Sequence, residues 1–131
     1  MPLLRPLDPR CRLSAPKYNP PRTWTTLGSV ALGGASSAIY TIPAPGGYRI
    51  FGRTPVPVWD SHQRLPAFKK SIVLLSPADR VRFVPIEQEE YHAIERKVEE
   101  GTYVHNTIDY QKFSVGQYNA WLSTINPDQR F

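Results

Sequence analysis

In the run Pro45-Gly46-Gly47-Tyr48-Arg49-Ile50-Phe51-Gly52-Arg53-Thr54-Pro55, a turn almost free of side chains precedes an arginine and a hydroxyl. Pro45 restricts its own φ, and the two glycines after it allow positive φ and a close approach of backbone to a ligand. In an extended run, Tyr48, Ile50 and Gly52 share one face, and Arg49, Phe51 and Arg53 the other. A guanidinium beside bare backbone can hold a small planar carbonyl or carboxylate group. Gly33-Gly34 can add backbone N–H donors and room, while Tyr40 or Tyr48 can orient a planar group. The candidate binding residues are therefore Gly34, Tyr40, Gly46, Gly47, Tyr48, Arg53 and Thr54. Arg22 and Trp24 flank Thr23 and share a face of an extended segment. They either stack on each other or border the mouth of the site. The competing reading of the same run is a tight turn beside a surface arginine.

Other chemistries find little support. No carboxylate or histidine stands next to this run to act as a base, so no catalytic residue is assigned. Asp60 and His62 open a polar loop and read as solvated side chains. The Gly-Gly pairs lack the Lys-Ser/Thr of a phosphate loop, and Gly28-Ser29-Val30 lacks the glycine spacing of a nucleophile elbow. His62, His92 and His105 have no metal-ligand spacing, and the single cysteine, Cys11, precludes an internal disulfide and argues against a cysteine-based metal site. No metal is expected. Reduced cysteine chemistry fits a cytoplasmic setting. No apolar run approaches membrane-spanning length, and no secretory signal opens the chain, so no membrane contact is expected.

Charge divides the chain. Residues 1–86 hold twelve Lys/Arg against three Asp, whereas 87–131 hold four against eight Asp/Glu. The net charge of +5 is thus the sum of a basic part and an acidic part. The arginines lie scattered among prolines and strands, with no basic helix and no aromatic platform, which argues against nucleic acid. A surface for an acidic partner domain or an anionic substrate fits better.

The elements that must position these groups follow from periodicity. With 131 residues, 40% hydrophobic and 21% charged, the chain has the size and make-up of one small domain. Fourteen prolines, mostly early, argue against a helical bundle. Residues 1–15 read as a flexible tail and 16–131 as the domain. Ser29–Leu32, Ala38–Ile42 and Tyr48–Arg53 read as strands, with Val56–Val58 as an edge continuation and Ser61–Lys70 as a loop. Ile72–Leu75 leads into a Ser76-Pro77-Ala78-Asp79 turn, and Arg80–Pro85 alternates as a last barrel strand. The expected core is Val30, Leu32, Ile39, Ile50, Leu74, Val81 and Phe83. Glu87–Glu100 places Tyr91, Ile94 and Val98 on one helical stripe, with Gly101 as C-cap. Ser114 and Gln117 have capping-box spacing ahead of a second helix carrying Tyr118, Trp121, Leu122 and Ile125. Ile108–Phe113 reads as a strand between the helices. The class is mainly β with C-terminal α elements.

Four motifs keep a specific order: Tyr18-Asn19-Pro20-Pro21-Arg22-Thr23-Trp24-Thr25, Gly28 to Gly34, the Pro-Gly-Gly run, and Asp79-Arg80-Val81-Arg82-Phe83-Val84-Pro85-Ile86. Together they resemble the carboxyltransferase half (subdomains C and D) of urea carboxylase, also called urea amidolyase. That family includes allophanate hydrolase subunit 1 and the KipI-like subunit of bacterial 5-oxoprolinase. The ending, Phe113-Ser114 followed by Tyr118, is similar to the urea carboxylase branch. The resemblance implies a cyclophilin-like β-barrel as part of an incomplete family unit, without the N-terminal lobe. It implies carboxyl transfer to urea or a related small amide, with a complementary carboxyltransferase lobe or subunit and a biotin carrier module as partners. Carboxybiotin would come from a partner domain, with no cofactor bound covalently here, and the chain alone would be inactive. The same resemblance leaves a non-catalytic KipI-like binding or regulatory module, a gene fragment, or a 5-oxoprolinase- or allophanate hydrolase-type amide hydrolase subunit as alternatives.

Overall fold

Strands β1 (Leu3–Leu4), β2 (Arg22–Thr25), β3 (Ser29–Gly33), β4 (Ser36–Ile39), β5 (Ala44–Gly46) and β6 (Arg49–Arg53) precede helices α1 (Gln88–Glu99) and α2 (Val115–Ser123). They are seen in a computed structural model that describes residues 1–8, 10, 12–108, 112–126 and 128. The centre is the β3–β4 hairpin, with Val30 opposite Ile39 and Gly33 opposite Ser36. Its two-residue loop starts at Gly34, whose φ of 60° suits the first position of a type II′ turn. β6 pairs with the other edge of β3.

The expected mainly β body with C-terminal helices is present, but its strands form open sheets rather than a closed barrel. One sheet has the order β1-β4-β3-β6, and β2 pairs with β5 in a separate ribbon. Among the described residues Arg80–Pro85 forms no strand, and Val81 and Phe83 are exposed. Ile50 is also exposed, because β6 is an edge strand, and Leu32 and Leu74 are only half-buried. Of the expected core, Val30 and Ile39 are buried. Ala31, Ala38 and Tyr40 join them from the hairpin, while Leu65 and Phe68 come from the segment read as a polar loop. There a short 3-10 turn, Pro66–Phe68, tucks the Phe68 ring inward.

Two further expectations shift. In the segment read as a tail, Leu3 and Leu4 pair with Ala38 and Ser37 of β4. For the expected strand Ile108–Phe113, Asp109, Tyr110 and Gln111 lie outside the described residues, and Ile108, Lys112 and Phe113 belong to no strand. The helix ends follow the local chemistry. Gly101, at φ 74°, closes α1 through Gly101 N–H to Val98 and Thr102 N–H to Lys97, the Schellman pattern. Ser114 Oγ accepts from the Gln117 N–H at 3.2 Å and caps α2. Among the described residues, no helix is long and apolar enough to cross a membrane.

Candidate functional site

Gly28 ties together the ends of three strands. Its N–H donates to the Tyr40 carbonyl at 2.8 Å, and its own carbonyl accepts from Thr54 N–H at 2.9 Å. Tyr40 and Thr54 lie one residue beyond β4 and β6, so this junction sets both beside Arg53, the last residue of β6. A cleft of about 370 Å³ opens there, with α1 forming another wall. Tyr40, Arg53 and Thr54 line it from the sheet, and Tyr91, Glu95 and Val98 from α1. Thr54 Oγ1 accepts from the Val56 N–H at 3.1 Å, which leaves its hydroxyl proton to be donated elsewhere.

Gly34, Gly46, Gly47 and Tyr48 do not line the cleft. A Cβ on Gly46 would strike the Tyr40 hydroxyl, so this glycine makes room for the ring that borders the cleft. Tyr48 lies against Gly33 in the same manner, with Lys17 Nζ 5.1 Å from its ring centroid. The Gly47 carbonyl accepts from Tyr18 N–H at 2.7 Å, and a Cβ there would sit 3.0 Å from the Tyr18 carbonyl oxygen. Any larger residue at Gly47 therefore meets backbone. Gly34 exchanges backbone hydrogen bonds with Ala15 at 2.9 and 3.1 Å.

The Arg22 guanidinium lies 5.6 Å from the Tyr18 ring centroid, so Tyr18, rather than Trp24, is its aromatic neighbour. Arg49 approaches that ring at 4.4 Å. Trp24 is 64% exposed. Neither Arg22 nor Trp24 lines the cleft.

Three groups at the cleft escaped the sequence reading. Asp60, expected to be solvated, is only 7% exposed. Its carboxylate accepts from His62 N–H at 3.0 Å and Arg64 N–H at 2.9 Å, an Asx-type turn that closes the loop. Burial by itself would raise its pKa. The N–H donors of Arg64, His62 and Leu65, with the Arg64 charge, hold it below the ordinary 3.8. A depressed native pKa stabilises the fold above the unfolded value and loses that contribution as pH falls through the native one. Asp60→Asn should thus lower the thermal midpoint at neutral pH and flatten its fall below pH 3.8, measured by thermal unfolding across pH. An unchanged acid profile would show that the carboxylate charge does not matter there. Tyr91 and Glu95 are the other two. Burial raises the Tyr91 phenol above its usual pKa, the Arg53 guanidinium opposes this, and the Glu95 carboxylate adds to it. Their i, i+4 spacing on the amphipathic stripe was the readable signal that they share a helix face.

The family described as "Carboxyltransferase domain, subdomain C and D" matches residues 1–69, just over half of the chain. The chain belongs to this carboxyltransferase family. Arg53, Thr54 and Tyr40 lie inside the matched part, whereas α1 lies beyond it. Urea amidolyase of Saccharomyces cerevisiae is 38% identical over 118 residues, covering 90% of this chain and 6% of that protein. A 5-oxoprolinase subunit of Bacillus subtilis is 34% identical over 82 residues, covering 63% of this chain and 32% of that protein. The crystal structure of Kluyveromyces lactis urea carboxylase superposes with a TM-score of 0.77 at 36% identity, covering 93% of this chain and 11% of that one. K. lactis urea amidolyase gives a TM-score of 0.79 at 37% identity, covering 93% of this chain and 7% of that one. This carboxyltransferase segment therefore spans a small part of its long relatives.

Proposed function

We propose that this chain is a lobe of a biotin-dependent carboxyltransferase that docks urea or a related amide and works with a complementary lobe and a biotin carrier module. The observation that carries this reading is the convergence of Arg53, Thr54 and Tyr40 on one cleft within the family-matched segment. The Arg53 guanidinium and the Thr54 hydroxyl are donors suited to a ureido or amide oxygen. Carboxybiotin, brought by a partner, would supply the carboxyl group. This chain's own residues would hold the planar acceptor and offer hydrogen bonds to oxygen as charge develops on it. Tyr40 presents a flat ring beside those donors, fixed in place by its contact with Gly46.

Similarity to the bacterial 5-oxoprolinase protein favours a second reading, a component of an amide hydrolase or a KipI-like regulatory module. The urea amidolyase match covers 90% of this chain against 63% for the 5-oxoprolinase match, and this favours the carboxyltransferase. The lone chain is expected to show no carboxylation of urea, and activity should appear only with the complementary lobe and carrier. In that reconstituted complex, Arg53→Ala should weaken acceptor binding by about 1.5–3 kcal/mol, the range for a well-formed hydrogen bond to a charged group. Calorimetric titration checks this. Unchanged affinity in a folded variant would return Arg53 to a surface role, and turnover by the lone chain would remove the need for a partner.

A further inference from the structure

The cleft offers an acceptor as well as donors. Arg53 reaches it from β6 and Glu95 from α1, yet among the described residues the two make no direct ion pair. The Tyr91 phenol senses both, raised by the Glu95 carboxylate and lowered by the Arg53 guanidinium, so the three groups share one electrostatic environment. Glu95 is held on its outer side. Its Oε2 lies 2.9 Å from His92 Nδ1, and His92 is half exposed at the rim of the helix. Two other carboxylates line the cleft: Asp60, whose oxygens are both engaged by the backbone of its own loop, and Glu99, which is exposed at the last residue of α1. Glu95, half-buried on α1, also meets the Tyr91 side chain, and its two oxygens keep lone pairs beyond these contacts for a ligand N–H.

A guanidinium and a carboxylate facing one space from different walls select for a group with both polarities. A carbonyl oxygen satisfies the first and an N–H the second. A carboxylate ligand satisfies the guanidinium but offers no N–H and meets like-charge repulsion at Glu95. We propose that Glu95 is a specificity-determining residue of this cleft. It accepts an N–H of a primary amide or urea-type ligand whose carbonyl oxygen is held by Arg53, and its charge excludes carboxylates. This deepens the acceptor-site reading above and rests on it. It also assigns α1 a role in recognition, beyond that of a packed cover.

The test is an NMR titration of the full chain with acetamide, urea and acetate, comparing the unaltered protein with Glu95→Gln. Acetamide and acetate are both flat and nearly equal in size, so their ratio separates the N–H and the charge from shape. The unaltered cleft should prefer acetamide to acetate. Glu95→Gln should reduce the acetamide-to-acetate affinity ratio by about tenfold or more, because the charged acceptor is gone and the new amide can donate to acetate. In the same variant the Tyr91 phenol should titrate at lower pH, which verifies that the Glu95 charge beside it has been removed. An unchanged ratio in a folded variant, a preference of the unaltered cleft for acetate, or no response to any probe would each overturn the proposal. Failure of the carboxyltransferase reading would look different: the acetamide preference would persist while the reconstituted complex transferred no carboxyl group.

Discussion

Phe68→Ala is expected to lower stability by about 3–5 kcal/mol, the usual cost of removing a buried aromatic ring and leaving its cavity. Phe68 has no solvent exposure and is the largest fully buried side chain among the described residues. Its ring meets the His105 imidazole edge-on at 5.4 Å, and His105 Nε2 lies 2.8 Å from the Pro57 carbonyl oxygen. Tyr103 stacks edgewise on the same imidazole at 5.0 Å. One ring therefore secures both the 3-10 turn and the segment that follows α1. Domains of this size hold about 5–15 kcal/mol in total, so such a loss would remove much of the margin. Thermal unfolding followed by circular dichroism measures it. A loss below about 1 kcal/mol would mean that neighbouring groups collapse into the space.

Gly28→Ala should cost about 2–4 kcal/mol, which combines a left-handed backbone position with overpacking. Its φ is 78°, and an added Cβ would run into the Thr54 carbonyl oxygen. Backbone cannot swing aside as a flexible side chain can. Relief would require β6 to move away, and that would loosen the Thr54 N–H bond to Gly28 and displace Arg53. Loss of stability should therefore be accompanied by weaker acceptor binding, and the two can be read separately by thermal unfolding and titration. Unaltered stability together with unaltered binding would show that the junction is not rigid.

The glycine-rich run leads to the cleft, but its glycines make room for protein rather than for ligand. Gly46 and Gly47 are small because Tyr40 and the Tyr18 backbone lie against them, while the cleft belongs to residues at the end of the run, Arg53 and Thr54. A glycine reports that something comes close, and the sequence does not say whether it is ligand or protein. Arg80–Pro85 carries a related lesson. Its alternation is genuine, but a strand needs a neighbour to complete the ladder, and none is present among the described residues. Asp60 is buried although it is charged, because polarity predicts exposure only on average. Its neighbours' N–H groups turn back on its carboxylate and make burial tolerable.

By itself, the sequence determined features that depend on a few adjacent residues. These are the hairpin strands, the Gly101 and Ser114 helix ends, and the stripe on α1. The ordered motifs also carried the carboxyltransferase family, confirmed by the match over residues 1–69. Tertiary structure alone decided that the sheet stays open, that Leu65 and Phe68 complete the core, and that α1 brings Glu95 to the cleft of Arg53. The physical reason is the range of the interactions. Turns and caps are settled by dihedral preferences and hydrogen bonds within one or two turns of chain. Burial, strand pairing and the meeting of charges from β6 and α1 depend on contacts between residues distant in sequence, which local patterning does not encode.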